Sequence, residues 1–229
     1  FKQKTAYEIR LSLVGSEMCI RDRFHTVGVH PHEAITIQDG DIDKLRQASK
    51  HPKCLAIGEI GLDYHYDHSP REIQRKRLRE QLDLALDVKL PIVVHSREGE
   101  QDLLPELERY AKAVGSSRDP GIIHCFTGTR EFAEACLAAG FCISFSGIIT
   151  FKKADDLREI AKLVPMDRIL VETDSPYLAP IPFRGRKCEP VMVRHTAEKV
   201  AEVKGLPLEE IALATTRNAY RVFGIPAAQ

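Results

Sequence analysis

Pro91-Ile92-Val93-Val94-His95 is a short apolar run, without polar alternation, that stops on a side chain able to bind a metal. Three other runs do the same: Ala56-Ile57-Gly58-Glu59, Gly121-Ile122-Ile123-His124 and Ile169-Leu170-Val171-Glu172-Thr173-Asp174. Val/Ile/Leu runs of this kind read as strands buried on both faces, as in a parallel sheet covered by helices. In such folds the chemistry gathers at the carboxyl ends of the strands. One His closing a strand is as often a packing or capping residue as a ligand. Two His and two acids at equivalent ends combine nitrogen and oxygen donors, which is the donor set of a divalent-metal site.

Outward from these runs the chain alternates short apolar segments with amphipathic ones. Strands are expected at 25–30, 54–60, 91–96, 121–125, 141–146 and 169–174, with helices near 41–50, 71–89, 101–113, 129–139 and 154–163. That alternation is the mark of repeated βα units. The clearest helix is expected to start at Ser69-Pro70, with Ser69 as N-cap, and to run through Ile73, Leu78, Leu82 and Leu86. Its Arg71, Arg75, Arg77 and Arg79 read as a solvated outer face rather than a nucleic-acid patch. Gly140 and Gly205 read as helix C-caps. Two further helices, near 190–204 and 207–222, have no strand between them and read as a terminal seal. Six strands are countable, whereas a closed (β/α)₈ barrel needs eight. Residues 1–23 are too few for two βα units, although Tyr7, Ile9, Leu11 and Leu13 alternate as one strand would.

The 229 residues suit a single α/β domain with a sizeable core. With 33 basic and 33 acidic side chains the net charge is zero, so affinity for a polyanion needs a local patch. Six cysteines (19, 54, 125, 136, 142 and 188) without a CxxC pair read as reduced thiols of a soluble cytoplasmic protein. Strand alternation sets Cys125 on the face opposite His124 and excludes it as a co-ligand.

From about Phe24 to Gly224 the chain resembles the TatD family of metal-dependent deoxyribonucleases, within the amidohydrolase-like TIM barrels. The motifs that carry this are Gly28-Val29-His30-Pro31-His32, Gly58-Glu59-Ile60-Gly61-Leu62-Asp63-Tyr64, His95-Ser96-Arg97, His124-Cys125-Phe126-Thr127-Gly128, Ile143-Ser144-Phe145-Ser146-Gly147 and Glu172-Thr173-Asp174-Ser175-Pro176, in family order and spacing. Val164 to Arg194 looks most like bacterial YcfH-type members, with Cys188 where an Asn is common. The resemblance implies a barrel incomplete at its N-terminus. The family's first strand carries a His-x-His pair that is missing here, and residues 1–23 read as a non-family, artefactual or disordered segment ahead of a hydrolase domain at 24–229. A genuinely divergent N-terminus is the alternative.

By the same resemblance Glu59 bridges two divalent ions, Mg²⁺ first and Zn²⁺ or Mn²⁺ next. His95 and His124 hold the outer ion; Asp174 binds the inner one and orients the attacking water, so that Asp174 and Glu59 are catalytic. Such ions can stabilise the attacking and leaving oxygens of a phosphodiester. His30, Arg97 and Arg184 are expected to contact substrate, the arginines through phosphate. Glu172 reads equally as a partner of a ligand or as a structural ion pair, and Asp63 as a partner of a ligand His or a loop cap. His32, His65 and His68 read as loop residues without a role, and His25, His51 and His195 as surface or packing residues. The activity implied is hydrolysis of DNA at 3′ ends by a monomer. Rival readings are an amide or ester hydrolase, such as an aminoacyl-tRNA deacylase, and a catalytically dead binding protein.

Overall fold

The computed structural model describes residues 23–225. Expectations that fall on residues 1–22, including a strand over 6–14, lie outside them. Six parallel strands form one sheet in chain order: β1 (His25–Val27), β2 (Cys54–Asp63), β3 (Ile92–Arg97), β4 (Gly121–Ile123), β5 (Cys142–Phe145) and β6 (Ile169–Val171). Among the described residues β1 and β6 do not pair with each other. Each crossover carries a helix: α1 (Asp41–Ala48), α2 (Arg71–Val88), α3 (Glu100–Val114), α4 (Arg130–Ala138) and α5 (Asp155–Leu163). Then α6 (Val193–Lys204) and α7 (Leu208–Phe223) follow without an intervening strand. The expected βα alternation, its six strands and the closing helix pair are all present.

The apolar runs are buried on both faces, as their lack of alternation requires. Ile57, Ile60, Leu62, Ile92, Val94, Ile123, Ile143, Phe145 and Ile169 are sealed from solvent and packed with Leu78 and Leu82 of α2 and Leu103, Leu107 and Tyr110 of α3. Truncating one such Leu to Ala typically costs about 2–5 kcal/mol. Two glycines allow adjacent strands to close up: a Cβ on Gly61 would collide with the His95 carbonyl oxygen, and one on Gly121 with that of Ile92. The four arginines of α2 form ion pairs, with Asp67, Asp102, Glu80 and Glu106 respectively, and so make the salt-bridged outer face expected of them. Asn218 of α7 donates to the Met166 and Ile169 carbonyls at 2.9 and 2.8 Å, fastening the last helix over β6. Among the described residues no helix is long and apolar enough to cross a membrane.

Two local expectations need correction. Ser69 does not cap α2; Pro70 occupies the N-cap position. The Ser69 hydroxyl instead donates to the His32 carbonyl at 2.8 Å and accepts from Ile35 N–H at 3.0 Å, drawn away by the 3₁₀ turn Pro31–Thr36. Cys125 is not on a strand: β4 ends at Ile123, and Cys125 has φ 43°, with its sulfur against the Ser146 hydroxyl at 3.2 Å.

Candidate metal centre

Polar side chains of α2 complete what the strand ladders leave unpaired. β1 stops at Val27, short of its expected end, and two residues on the Val29 N–H donates to Gln81 Oε1 at 2.7 Å while Gln81 Nε2 donates back to the Val29 carbonyl at 3.2 Å. One heptad earlier, Gln74 does the same for Asp63, at 2.9 and 3.0 Å. Both glutamines are buried, so α2 braces the backbones that carry His30 and Asp63. These glutamines were not foreseen. The signal was two long amides seven residues apart on the inward face of an amphipathic helix.

The site gathers at the carboxyl ends of the strands. His95 lies within β3 and Glu59 within β2, whereas His124, Glu172 and Asp174 fall just beyond β4 and β6. Glu59 Oε1 stands 3.0 Å from His95 Nδ1, 3.6 Å from His124 Nε2 and 3.6 Å from His30 Nε2. His124 Nε2 is also 3.4 Å from Asp174 Oδ1. The structure thus brings Glu59, His95, His124 and Asp174 into one mouth, with His30 beside them.

Two further acids define which atoms face the centre. Asp63, sealed from solvent, accepts through Oδ2 from His95 Nε2 at 3.0 Å and from His32 Nε2 at 2.9 Å. Its Oδ1 accepts from the His65 and Tyr66 amides at 3.1 and 2.8 Å, so Asp63 both holds the His95 imidazole and caps the loop. With the His95 proton held at Nε2, the nitrogen turned toward Glu59 is Nδ1. Glu172 Oε1 is paired with His124 Nδ1 at 2.8 Å, and its other oxygen accepts from the Ser144 hydroxyl. His124 therefore turns Nε2 inward. His32, expected to have no role, is corrected: it shares the Asp63 carboxylate with His95. His30 accepts the His32 N–H at Nδ1, 3.2 Å, which leaves a proton on Nε2 aimed at the centre. A metal on that Nε2 would force the proton onto Nδ1 against the amide. Although His30, Glu59 and His95 are spaced closely enough to share an ion, this tautomer makes His30 a hydrogen-bond donor.

The electrostatics follow from this crowding. Burial alone would raise the Glu59 carboxyl, but His30, His95 and His124 hold it well below the usual range. Asp63 is depressed for the same reason, by His95, the Tyr66 amide and His32. Burial alone would lower His124, yet Asp174, Glu172 and Glu59 push it up to about 11. His95 is likewise raised against its burial by Asp63 and Glu59. Among the described residues no Lys or Arg pairs with Glu59, Asp63, Glu172 or Asp174; every ion-pair partner is a histidine. Four carboxylates balanced only by imidazoles, with nitrogen and oxygen donors converging, fit a divalent cation.

Neither expected arginine pairs with a carboxylate of the mouth. Arg97 is exposed at the end of β3, its guanidinium 5.2 Å from the Tyr66 ring centre. Arg184 lies 4.0 Å over Phe151, lining an open groove of about 1340 Å³ with Thr127, Gly128, Lys152 and Lys153, and none of the mouth's carboxylates lines that groove.

The family model described as TatD related DNase matches residues 10–224. The chain belongs to the TatD family. A Bacillus subtilis relative described as the uncharacterized metal-dependent hydrolase YabD is 46% identical over 203 residues, covering 88% of this chain and 78% of its own length. The Escherichia coli K12 metal-dependent hydrolase YcfH is 42% identical, covering 88% and 74%. An Erwinia billingiae protein described as 3′-5′ ssDNA/RNA exonuclease TatD is 36% identical over 208 residues, covering 88% and 78%. The crystal structure of the Escherichia coli TatD homologue YJJV superposes with a TM-score of 0.87 at 29% identity, covering 97% of this chain and 85% of that one. The protein is a metal-dependent hydrolase of the TatD family, on that family's amidohydrolase-like TIM barrel, six of whose strands lie in the described residues.

Proposed function

We propose that the protein is a 3′–5′ exonuclease of single-stranded DNA that works with a divalent ion, Mg²⁺ by preference. The observation that carries this is the mouth itself: a dense set of carboxylates and imidazoles with no fixed cation, in a chain related to a protein described as acting on single-stranded DNA and RNA. Glu59, His95 through Nδ1, His124 through Nε2 and Asp174 are the proposed ligands. The chemistry a bound divalent ion supplies in such a set is polarisation of a phosphoryl oxygen and activation of water at neutral pH. Asp174, past the end of β6 and beside His124, holds the attacking water and takes its proton. His30 directs its Nε2 proton at a substrate oxygen, and Asp63 and Glu172 keep the two ligand imidazoles turned inward.

The test is direct. Metal-stripped protein is given Mg²⁺, Mn²⁺ or Zn²⁺ and a 5′-labelled single-stranded oligonucleotide. Shortening from the 3′ end one nucleotide at a time, abolished by chelation and by Asp174→Asn, is the expected result. Cleavage that survives exhaustive chelation, or inertness toward oligonucleotides together with turnover of an aminoacyl ester, refutes the assignment.

A further inference from the structure

One aromatic ring at the edge of the mouth is built like a contact surface. Tyr66 is 53% exposed, yet its ring is held on several sides: His65 meets it edge-on at 4.8 Å, His32 edge-on at 5.5 Å, and His68 lies parallel to it at 5.8 Å. The Arg97 guanidinium sits 5.2 Å from its centre and has no carboxylate partner among the described residues. Its backbone is fixed as well, since the Tyr66 N–H donates to Asp63 Oδ1 at 2.8 Å. The other oxygen of that same carboxylate holds His95. The His32 ring contacts both Tyr66 and His95, with its centre 5.5 Å from one and 6.1 Å from the other. Tyr177, the other strongly exposed tyrosine near the mouth, has no ring contact among the described residues.

An exposed apolar ring loses by being in water, and fixing it there is useful when a planar partner arrives. Every nucleobase has a π-face, so a stacking surface accepts any sequence, and a neighbouring unpaired arginine suits the phosphate that comes with the base. We infer that Tyr66 is the stacking platform for the base of the 3′-terminal nucleotide, with Arg97 taking its phosphate. The inference rests on the exonuclease reading and names the group by which that substrate is seated. It also gives Asp63 a second duty, because one carboxylate sets the platform and the His95 ligand at once.

The experiment uses the full chain with Mg²⁺ and a single-stranded oligonucleotide whose 3′-terminal base is 2-aminopurine, attached through a cleavage-resistant phosphorothioate. Stacking on Tyr66 should quench the probe. Tyr66→Ala should abolish the quenching and weaken binding about 5- to 150-fold, the range for loss of one base–aromatic stack. Tyr66→Phe should keep both, and an oligonucleotide with an abasic 3′ end should bind the unsubstituted protein no better than the normal one binds Tyr66→Ala. Absence of quenching, equal quenching in Tyr66→Ala, or full affinity for the abasic end overturns the platform. Binding here needs no turnover. Base-dependent quenching without cleavage of the normal oligonucleotide would therefore sink the exonuclease reading alone, and cleavage indifferent to the terminal base would sink the platform alone.

Discussion

The two ends of the sheet solve opposite problems with the same kinds of residue. Below the strands, Asp119 accepts from Arg168 at 2.6 Å and Arg221 at 2.7 Å. Those arginines also donate to the Gly140 and Asp167 carbonyls, so Asp119, Arg168 and Arg221 all have their partners within the protein. Above the strands, among the described residues, Glu59, Asp63, Glu172 and Asp174 form ion pairs only with histidines. A carboxylate between two guanidinium groups is neutralised by the fold at every ordinary pH. Carboxylates held by imidazoles are neutralised only while those imidazoles keep their protons, and an arriving divalent ion can take the protons' place. The lower end is closed and structural; the upper end is kept short of positive charge, which suits function more than stability.

This contrast can be broken from either side. The largest effect belongs to the mouth: Glu59→Gln or Asp174→Asn should lower cleavage by about 100-fold or more, the usual scale for acid–base and metal roles. Metal-free Glu59→Gln should melt below the parent, because His30, His95 and His124 hold the ionised carboxylate below its ordinary range, and added metal should raise the melting temperature of the unsubstituted protein but not that of Glu59→Gln. A metal-induced rise as large in Glu59→Gln as in the parent would remove Glu59 from the centre. Next, Asp63→Asn should weaken metal binding by about 10- to 100-fold, as read by titration calorimetry, because His95 loses the acceptor that fixes its tautomer. Undiminished affinity would remove Asp63 from the centre. At the lower end, Asp119→Asn should cost about 2 kcal/mol of unfolding free energy, the scale of charge-assisted hydrogen bonds, with turnover per folded molecule unchanged. The smallest effect is its pH dependence. Burial would raise Asp119, but Arg221 and Arg168 hold it below its ordinary 3.8. Its contribution is therefore complete above the unfolded value and fades as pH falls through the lower folded one. The stability gap between Asp119→Asn and the parent should be constant near neutrality and narrow below about pH 4, where unfolded carboxyls begin to protonate. A gap that widens in acid would contradict the lock.

The strands, their order and the mouth residues Glu59, His95, His124 and Asp174 were legible because unbroken Val/Ile runs report burial on both faces and their last residues report the catalytic end. Asp63 and Glu172 were left open between two roles, since whether an acid meets an imidazole depends on strands 32 and 48 residues away in sequence from those acids' own. One clue went unused. Gly61 looked like the end of its strand, but it is the residue that lets β2 press against β3 and run on to Asp63, so both acids of β2 reach His95. His32 was misjudged because a histidine in a His-Pro-His loop gives no local sign of a partner 31 residues on. Gln74 and Gln81 were invisible to apolar periodicity, which counts a buried amide as an interruption rather than a brace.

Because spatial order equals chain order across the six strands, pairing each strand with the one before it closes a loop of one βα unit and no more. The donors arrive in the same sequence, Glu59, then His95, then His124, and finally Asp174 on the chain that follows β6. Asp174, the residue proposed to hold the attacking water, thus comes last in the chain, after the sixth strand of the sheet.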